Sequence, residues 1–214
     1  MNDIRKESIM INLEKYRDKI LAEDVDNVIG FYTREFYCLD NFSSFKVLYK
    51  GHLYATVEEA YQAAGFMGSD ENVVKMIQKC YSADESKRIA HEFIDKRRKD
   101  WDEVKLSIME ELLRLKIKQN PYVRKKLLMT ENYPIVEDSP VDAYWGWGPE
   151  KNGQNHLGKL WMMLRDELRN GEFDKKTEDI PERSKYAIND EFVGYLTNDE
   201  FVDILERRSN REEQ

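Results

Sequence analysis

Between residues 56 and 171 the chain is divided by a succession of helix starts and stops, and these leave few folds open to it. Thr56-Val57-Glu58-Glu59 and Ser82-Ala83-Asp84-Glu85 are capping boxes, in which the hydroxyl accepts the fourth residue's amide and the fourth carboxylate reaches back. They predict helices running to about Phe66 and about Lys96. Asp70 opens another, ending near Cys80. Asp100 is placed to cap a long helix with Val104, Ile108, Leu112 and Leu115 on one face, which Asn120-Pro121 ends. Pro121 then starts a helix that stops near Thr130. A last helix covers 155–169, with Leu157, Leu160, Trp161, Leu164 and Leu168 on one face and Asn170-Gly171 as its stop. Residues 4–22 read as an amphipathic helix carrying Ile4, Ile11, Tyr16 and Ile20.

Strand signals are few. Val28-Ile29-Gly30-Phe31-Tyr32 and Phe45-Lys46-Val47-Leu48-Tyr49 are β-prone, Lys50-Gly51 is a turn into His52-Leu53-Tyr54, and Tyr133 to Val136 suits a strand. The expected fold class is therefore α+β, mainly α-helical. It comprises an N-terminal helix (1–25), a single domain with a small β-region (26–171), and a charged linker leading to a C-terminal helical extension (172–214). Hydrophobic residues make up 41% of the 214-residue chain and aromatics 12%, enough for one packed core. No apolar run is long enough to span a bilayer, and the N-terminus lacks a signal-peptide core. Cys38 and Cys80, the only cysteines, make neither a disulfide framework nor a cysteine-based zinc site. A cytoplasmic protein without metal or cofactor is the expectation, with no membrane partner and its oligomeric state open.

A net charge of −8 argues against general affinity for polyanions. The basic runs Lys96-Arg97-Arg98-Lys99 and Arg124-Lys125-Lys126 are solvated helix faces by default, with Arg98 a candidate for a ligand phosphate. Chemistry concentrates elsewhere. Asp142-Ala143-Tyr144-Trp145-Gly146-Trp147-Gly148, followed by Gly153-Gln154-Asn155-His156-Leu157-Gly158, puts large aromatics beside glycines that admit close backbone approach. Such a loop either walls a planar or sugar-like ligand or plugs the core, and its residues alone favour neither. Glu58, at the second position of its helix, sits where the macrodipole favours a negative charge. It suits a base or an electrostatic stabiliser, though acids in first turns are commonplace. Asp142 and Glu137 are further carboxylates near the loop, each equally compatible with a turn or cap. His52, His91 and His156 share no ligand spacing, and neither a P-loop nor a nucleophile elbow is present.

Taken in order, these segments resemble the NADAR superfamily. Phe31-Tyr32 resembles its opening aromatic pair, Asn41-Phe42 its SNF element, and Thr56-Val57-Glu58 with Tyr61-Gln62-Ala63 its T-x-E-H-x-x-Q-A helix. Arg98 and Trp101 match R-x-x-W, and Leu113-Arg114-Leu115-Lys116 with Gln119-Asn120 resembles L-R-x-K-F-x-Q-N. Glu137, Asp142, Tyr144-Trp145-Gly146 and Gly148 match E-x-x-x-x-D-x-Y-W-G-x-G, and Gly153, Asn155 and Leu157-Gly158 continue it. The resemblance implies a metal-independent N-glycosidase. One branch of the family hydrolyses phosphoribosylaminopyrimidine intermediates of the riboflavin pathway, and another removes ADP-ribose from guanine in DNA. It also implies catalytic roles for Glu58 and Asp142. Trp101 and Trp145 are the implied walls, with Phe31 and Tyr32 at the edge, and Asn41, Arg98, Lys116, Gly146 and Asn155 are the implied ligand contacts. Three positions depart from the pattern: Glu59 replaces a histidine, Gly65 a lysine and Ile117 a phenylalanine. The basic runs tilt the expected substrate slightly toward ADP-ribosylated guanine, with ADP-ribosylated DNA as partner. A non-catalytic nucleotide reader and a partner-binding module are the rivals.

Overall fold

The computed structural model describes residues 7, 9, 10, 13, 16, 28–31, 34–173, 186–188 and 191–193. Six α-helices of the described chain are α1 (Val57–Ala64), α2 (Glu71–Ile77), α3 (Ala83–Glu92), α4 (Trp101–Gln119), α5 (Pro121–Met129) and α6 (His156–Arg169). The strands are β1 (Ile29–Gly30), β2 (Val47–Tyr49), β3 (His52–Tyr54), β4 (Ile135–Val136), β5 (Tyr186–Ile188) and β6 (Glu191–Val193). The class is α+β and mainly helical, as expected. The four helical residues 7, 9, 10 and 13 belong to the predicted N-terminal helix, the rest of which lies outside the described residues. Tyr16 donates from its hydroxyl to Asp166 at 2.7 Å, tying this segment to α6.

Local signals set the helix starts. Thr56, Asp70 and Ser82 each accept first-turn amides with their side chains. In both capping boxes the returning carboxylate reaches one residue further than the motif prescribes. Glu59 accepts the Ala55 amide at 2.9 Å and Glu85 the Tyr81 amide at 2.8 Å. Asp100 does not cap α4. Its carboxylate is held by Arg98 instead, through two bonds of 2.6 and 2.8 Å. The helix predicted from Ser82 to Lys96 changes at Phe93 into a 3₁₀ turn, Ile94–Lys96. The β2–β3 hairpin turns on Lys50 and Gly51, both at positive φ (47° and 83°), the geometry that matches the twist of paired strands. β1 and β4 pair in parallel, Ile29 opposite Ile135.

Burial departs from simple amphipathicity. α4 buries Leu106, Met109, Leu113 and Ile117 beyond its predicted stripe, because α1, α5, α6 and β2 pack around it. Every residue of α1 is buried, including Glu58, Glu59 and Gln62. The helical C-terminal extension is corrected where it is described. Tyr186–Ile188 and Glu191–Val193 form an antiparallel pair, in keeping with their β-branched and aromatic residues. The predicted linker beyond Phe173 and the rest of the tail lie outside the described residues. No described helix is long and apolar enough to cross a membrane.

One buried cation joins α6 to the α5–β4 turn. Arg165 is 1% exposed. Its Nη1 donates at 2.8 Å to both the Thr130 hydroxyl and the Tyr133 carbonyl. Arg165→Met fills the space but leaves these acceptors unpaired. It is expected to cost on the order of 2–3 kcal/mol, read as a lower urea midpoint at unchanged slope.

Candidate active site: a carboxylate cleft with aromatic walls

The predicted carboxylates converge. A cavity of about 420 Å³ is lined by Glu58, Glu137 and Asp142, with Asp40, Asp102 and His91 beside them and Lys87, Arg97 and Lys105 supplying positive charge. Its volume falls in the range that holds small ligands, roughly 300–1,000 Å³. Tyr61, Trp101, Tyr144 and Trp145 are its aromatic surfaces. They form one chain of ring contacts, Trp101 to Tyr61 at 4.9 Å, Tyr61 to Trp145 at 5.6 Å and Trp145 to Tyr144 at 5.0 Å. Each ring braces the next, so the walls are preorganised.

Glu58 enters the cavity because α1 has no solvent-facing side. It is 6% exposed, and its Oε1 accepts Gln62 Nε2 at 2.8 Å. Burial pushes its carboxyl above the ordinary carboxylate range, while the Gln62 bond and the Lys87 charge pull the other way. Glu137 is pushed from 4.5 up to about 8, first by burial and then by the like charges of Asp142, Asp40 and Glu58. Its Oε2 is buried without a partner among the described residues. Burial and like charge together therefore favour a protonated Glu137 at pH 7. Asp142 is fixed differently: its Oδ1 accepts the amides of Tyr144 and Trp145, each at 2.8 Å. That turn aims Trp145 into the cavity.

The glycine-rich loop is closed by its own backbone. Gln154, Asn155, His156 and Leu157 donate amides to the carbonyls of Ala143, Gly146, Tyr144 and Trp145 at 2.7–3.1 Å. Gly146 has no room for a side chain, since a Cβ would stand 2.5 Å from the Glu137 carbonyl oxygen. Both readings of the loop hold, for different residues. Tyr144 and Trp145 wall the cavity, whereas Trp147 is buried and donates from Nε1 to Asp138 at 2.7 Å.

Several implied ligand contacts are corrected. Arg98 does not line the cavity, because its guanidinium is engaged by Asp100 and its amide by the Gly65 carbonyl at 2.8 Å. Arg97 lines it instead. Lys116 is fully buried and donates to the Asp40 carbonyl at 2.8 Å and the Ser43 hydroxyl at 2.9 Å. Burial lowers it to about 7. It positions the 40–43 segment rather than meeting a ligand. Asn155, at φ 48°, spends its amide on the Glu137 N–H and the Ile135 carbonyl, both at 3.0 Å. Gly146 contributes packing, Phe31 is core at 0% exposure, and Tyr32 lies outside the described residues. Glu58, Asp142, Trp101, Trp145 and Asn41 do line the cavity. Asn41 is locked there by its carbonyl, which accepts the Glu58 amide at 3.0 Å, and by its Nδ2, which meets Met109 Sδ at 3.4 Å.

Residue spacing did not single out Lys87, Lys105, Arg97 or Met109. The i, i+4 spacing of Lys87 and His91 was a legible hint, since it places both on one helix face.

The chain is similar in sequence and in fold to known proteins. The NADAR domain family model matches residues 30–169, as the sequence resemblance anticipated. An N-glycosidase from Nostoc punctiforme is 38% identical over 134 residues, covering 62% of this chain and 86% of the relative. N-glycosidase YbiA of Escherichia coli is 33% identical over 145 residues, covering 67% and 89% respectively. The riboflavin biosynthesis protein PYRR of Zea mays is 33% identical over 157 residues, but only 25% of it is covered. The NMR structure of E. coli YbiA superposes with a TM-score of 0.63 at 31% identity, over 72% of this chain and 91% of that one.

The raised carboxyl gives a stability test. Glu137 binds its proton more tightly folded (about 8) than at its ordinary value of 4.5. Its contribution to stability is therefore full below 4.5 and lost as pH rises through 8. Glu137→Gln mimics the protonated form. Its thermal midpoint relative to the wild type is expected to climb from pH 5 to about pH 8 and to level off above it, and a constant difference would contradict the shifted carboxyl.

Proposed function

The chain belongs to the NADAR domain family, and on that premise we propose which bond it breaks and in what compound. It is an enzyme, a hydrolase of N-glycosyl bonds. The proposed substrate is a phosphoribosylaminopyrimidine of the riboflavin pathway, split at the ribose C1′–N bond. The observation that carries this reading is the gathering of Glu58, Glu137 and Asp142 in one cavity beside stacking walls. Riboflavin biosynthesis proteins stand among the similar sequences, which supports the substrate class.

The chemistry follows from the charge distribution. As the C1′–N bond lengthens, positive charge develops on the sugar, and an adjacent carboxylate stabilises it. Glu58 takes this role and accepts the proton of the attacking water as the water's oxygen bonds to C1′, with Gln62 holding the Glu58 Oε1. Glu137, protonated at neutral pH, donates to the leaving nitrogen. Asp142 holds the loop carrying Trp145 and adds negative charge. Trp101 and Trp145 stack against the base, worth on the order of 1–3 kcal/mol. The unpartnered Oδ1 of Asn41 is an acceptor suited to a ribose hydroxyl.

ADP-ribosylated guanine, the second reading, finds little support in the cavity, where Lys105 is paired with Asp102 and Lys87 lies over Phe42. The basic runs that first suggested DNA do not support it. Lys96 pairs with Asp70, Arg98 with Asp100 and Lys126 with Glu35, so much of their charge is already compensated.

Two measurements test the proposal. The protein is incubated with a phosphoribosylaminopyrimidine and, separately, with guanosine-ADP-ribosylated DNA, following free ribose 5-phosphate or ADP-ribose. Release from the first is expected, release from the second alone would replace the substrate class, and release from neither would leave a binding module. Glu58→Gln is expected to lower kcat by a factor on the order of 10²–10⁴, and full activity would remove Glu58 from the mechanism. In the wild type kcat/KM is expected to fall as pH rises through about 8, where Glu137 loses its proton. That limb disappears in Glu137→Gln.

A further inference from the structure

Gly65 stands where the family pattern places a lysine, and the structure shows what fills the space. A Cβ at position 65 would lie 3.3 Å from Nε of Arg97 and 3.2 Å from the Gln62 carbonyl oxygen. Any side chain there crowds the guanidinium. Arg97 lies over two rings, Phe66 at 5.6 Å and Trp101 at 5.3 Å, and lines the cavity beside Glu58. No carboxylate among the described residues is within ion-pair distance of it. Its Nη2 donates weakly to Gln62 at 3.4 Å, and its Nε is buried without a partner. The other cations are otherwise engaged: Lys105 is on Asp102 at 2.7 Å and Lys87 lies over Phe42.

We propose that Arg97 is the anion subsite of the cavity and takes the substrate's phosphate, the cation having moved from position 65 to position 97. The proposal rests on the N-glycosidase reading for the ribose beyond the phosphate. A guanidinium presents its N–H groups in one plane, the arrangement that meets phosphate oxygens in pairs. Gly65 makes the subsite possible by leaving out the side chain that would displace it. Gln62 also fixes an orientation: because Arg97 donates to Oε1, the amide Nε2 faces Glu58. Arg97 therefore bears on the acid through Gln62 as well, and the test separates the two roles.

Binding of ribose 5-phosphate and of ribose is measured by titration calorimetry on the full chain. The wild type is expected to prefer ribose 5-phosphate by at least tenfold. Arg97→Gln loses that preference, Arg97→Lys keeps part of it, and Gly65→Ala weakens it by crowding the guanidinium. Combining Gly65→Lys with Arg97→Gln returns it. Circular dichroism checks folding, and if Arg97→Gln does not fold, the lysine variant and the double exchange decide. A wild type without preference, or an unchanged preference in Arg97→Gln, overturns the subsite. A changed pH profile of turnover with unchanged ribose 5-phosphate binding means that Arg97 acts only through Gln62, which also overturns it. Arg97-dependent phosphate preference in a protein that hydrolyses no N-glycoside supports the subsite and removes the N-glycosidase reading. Hydrolysis indifferent to the phosphate does the reverse.

Discussion

The site depends on the burial of α1 along its whole length. A helix that shows no face to solvent must give each of its polar side chains an internal partner or a ligand. Glu59 is satisfied by the Ala55 amide, and Gln62 spans Arg97 and Glu58. Glu58 has a neutral amide partner, Gln62, at Oε1, and it sits against the cavity. The packing that covers α1 with α2, α3 and α4 is thus what creates an acid held partly out of water. Stability and reactivity share one cause, because a looser helix would let water in and return Glu58 to ordinary carboxylate behaviour.

Around that helix the molecule uses buried polar groups as fasteners. Lys116 pins the 40–43 segment and Asn155 pins Glu137 to the loop. Arg165 fastens α6 to the turn before β4. Each spends its hydrogen bonds on backbone or hydroxyl groups of a segment far away in sequence. Such groups are costly to bury alone, and their bonds offset that cost. Lys116 and Arg165 lie within α4 and α6 and Asn155 just before α6, and each reaches across to a different element.

How much of this was legible depended on the distance over which the determining contact acts. Thr56, Asp70, Ser82 and Pro121 marked helix starts correctly, because a cap is decided within four residues. Lys50-Gly51 marked its turn for the same reason. Asp100 failed as a cap since Arg98, two residues away, competes for its carboxylate with a stronger charge-assisted pair. The end of α3 slipped because nothing local distinguishes a 3₁₀ turn from a further helical one. Motif matching brought Glu58, Asp142, Trp101, Trp145 and Asn41 to the cavity. It could not tell a residue that meets a ligand from one that holds the wall in place, so Lys116, Asn155 and Gly146 were misread as contacts. Arg97 and Arg98 are adjacent and chemically identical, and only the fold, through the empty space at Gly65, decides which one turns inward.

The glycine-rich loop is closed by main-chain bonds between 143–146 and 154–157, and its side-chain demands fall on Asp142, Gly146 and Asn155 rather than on its rings. Shape and recognition are therefore carried by different atoms. Tyr144 and Trp145 can be exchanged for other rings or for smaller groups while the loop keeps its path. A lineage could in this way change the base it accepts through one or two substitutions without rebuilding the acid cluster. Selectivity of this kind is replaceable on a fixed mount, and the molecule is open to drift in what it cleaves while remaining conservative in how it cleaves.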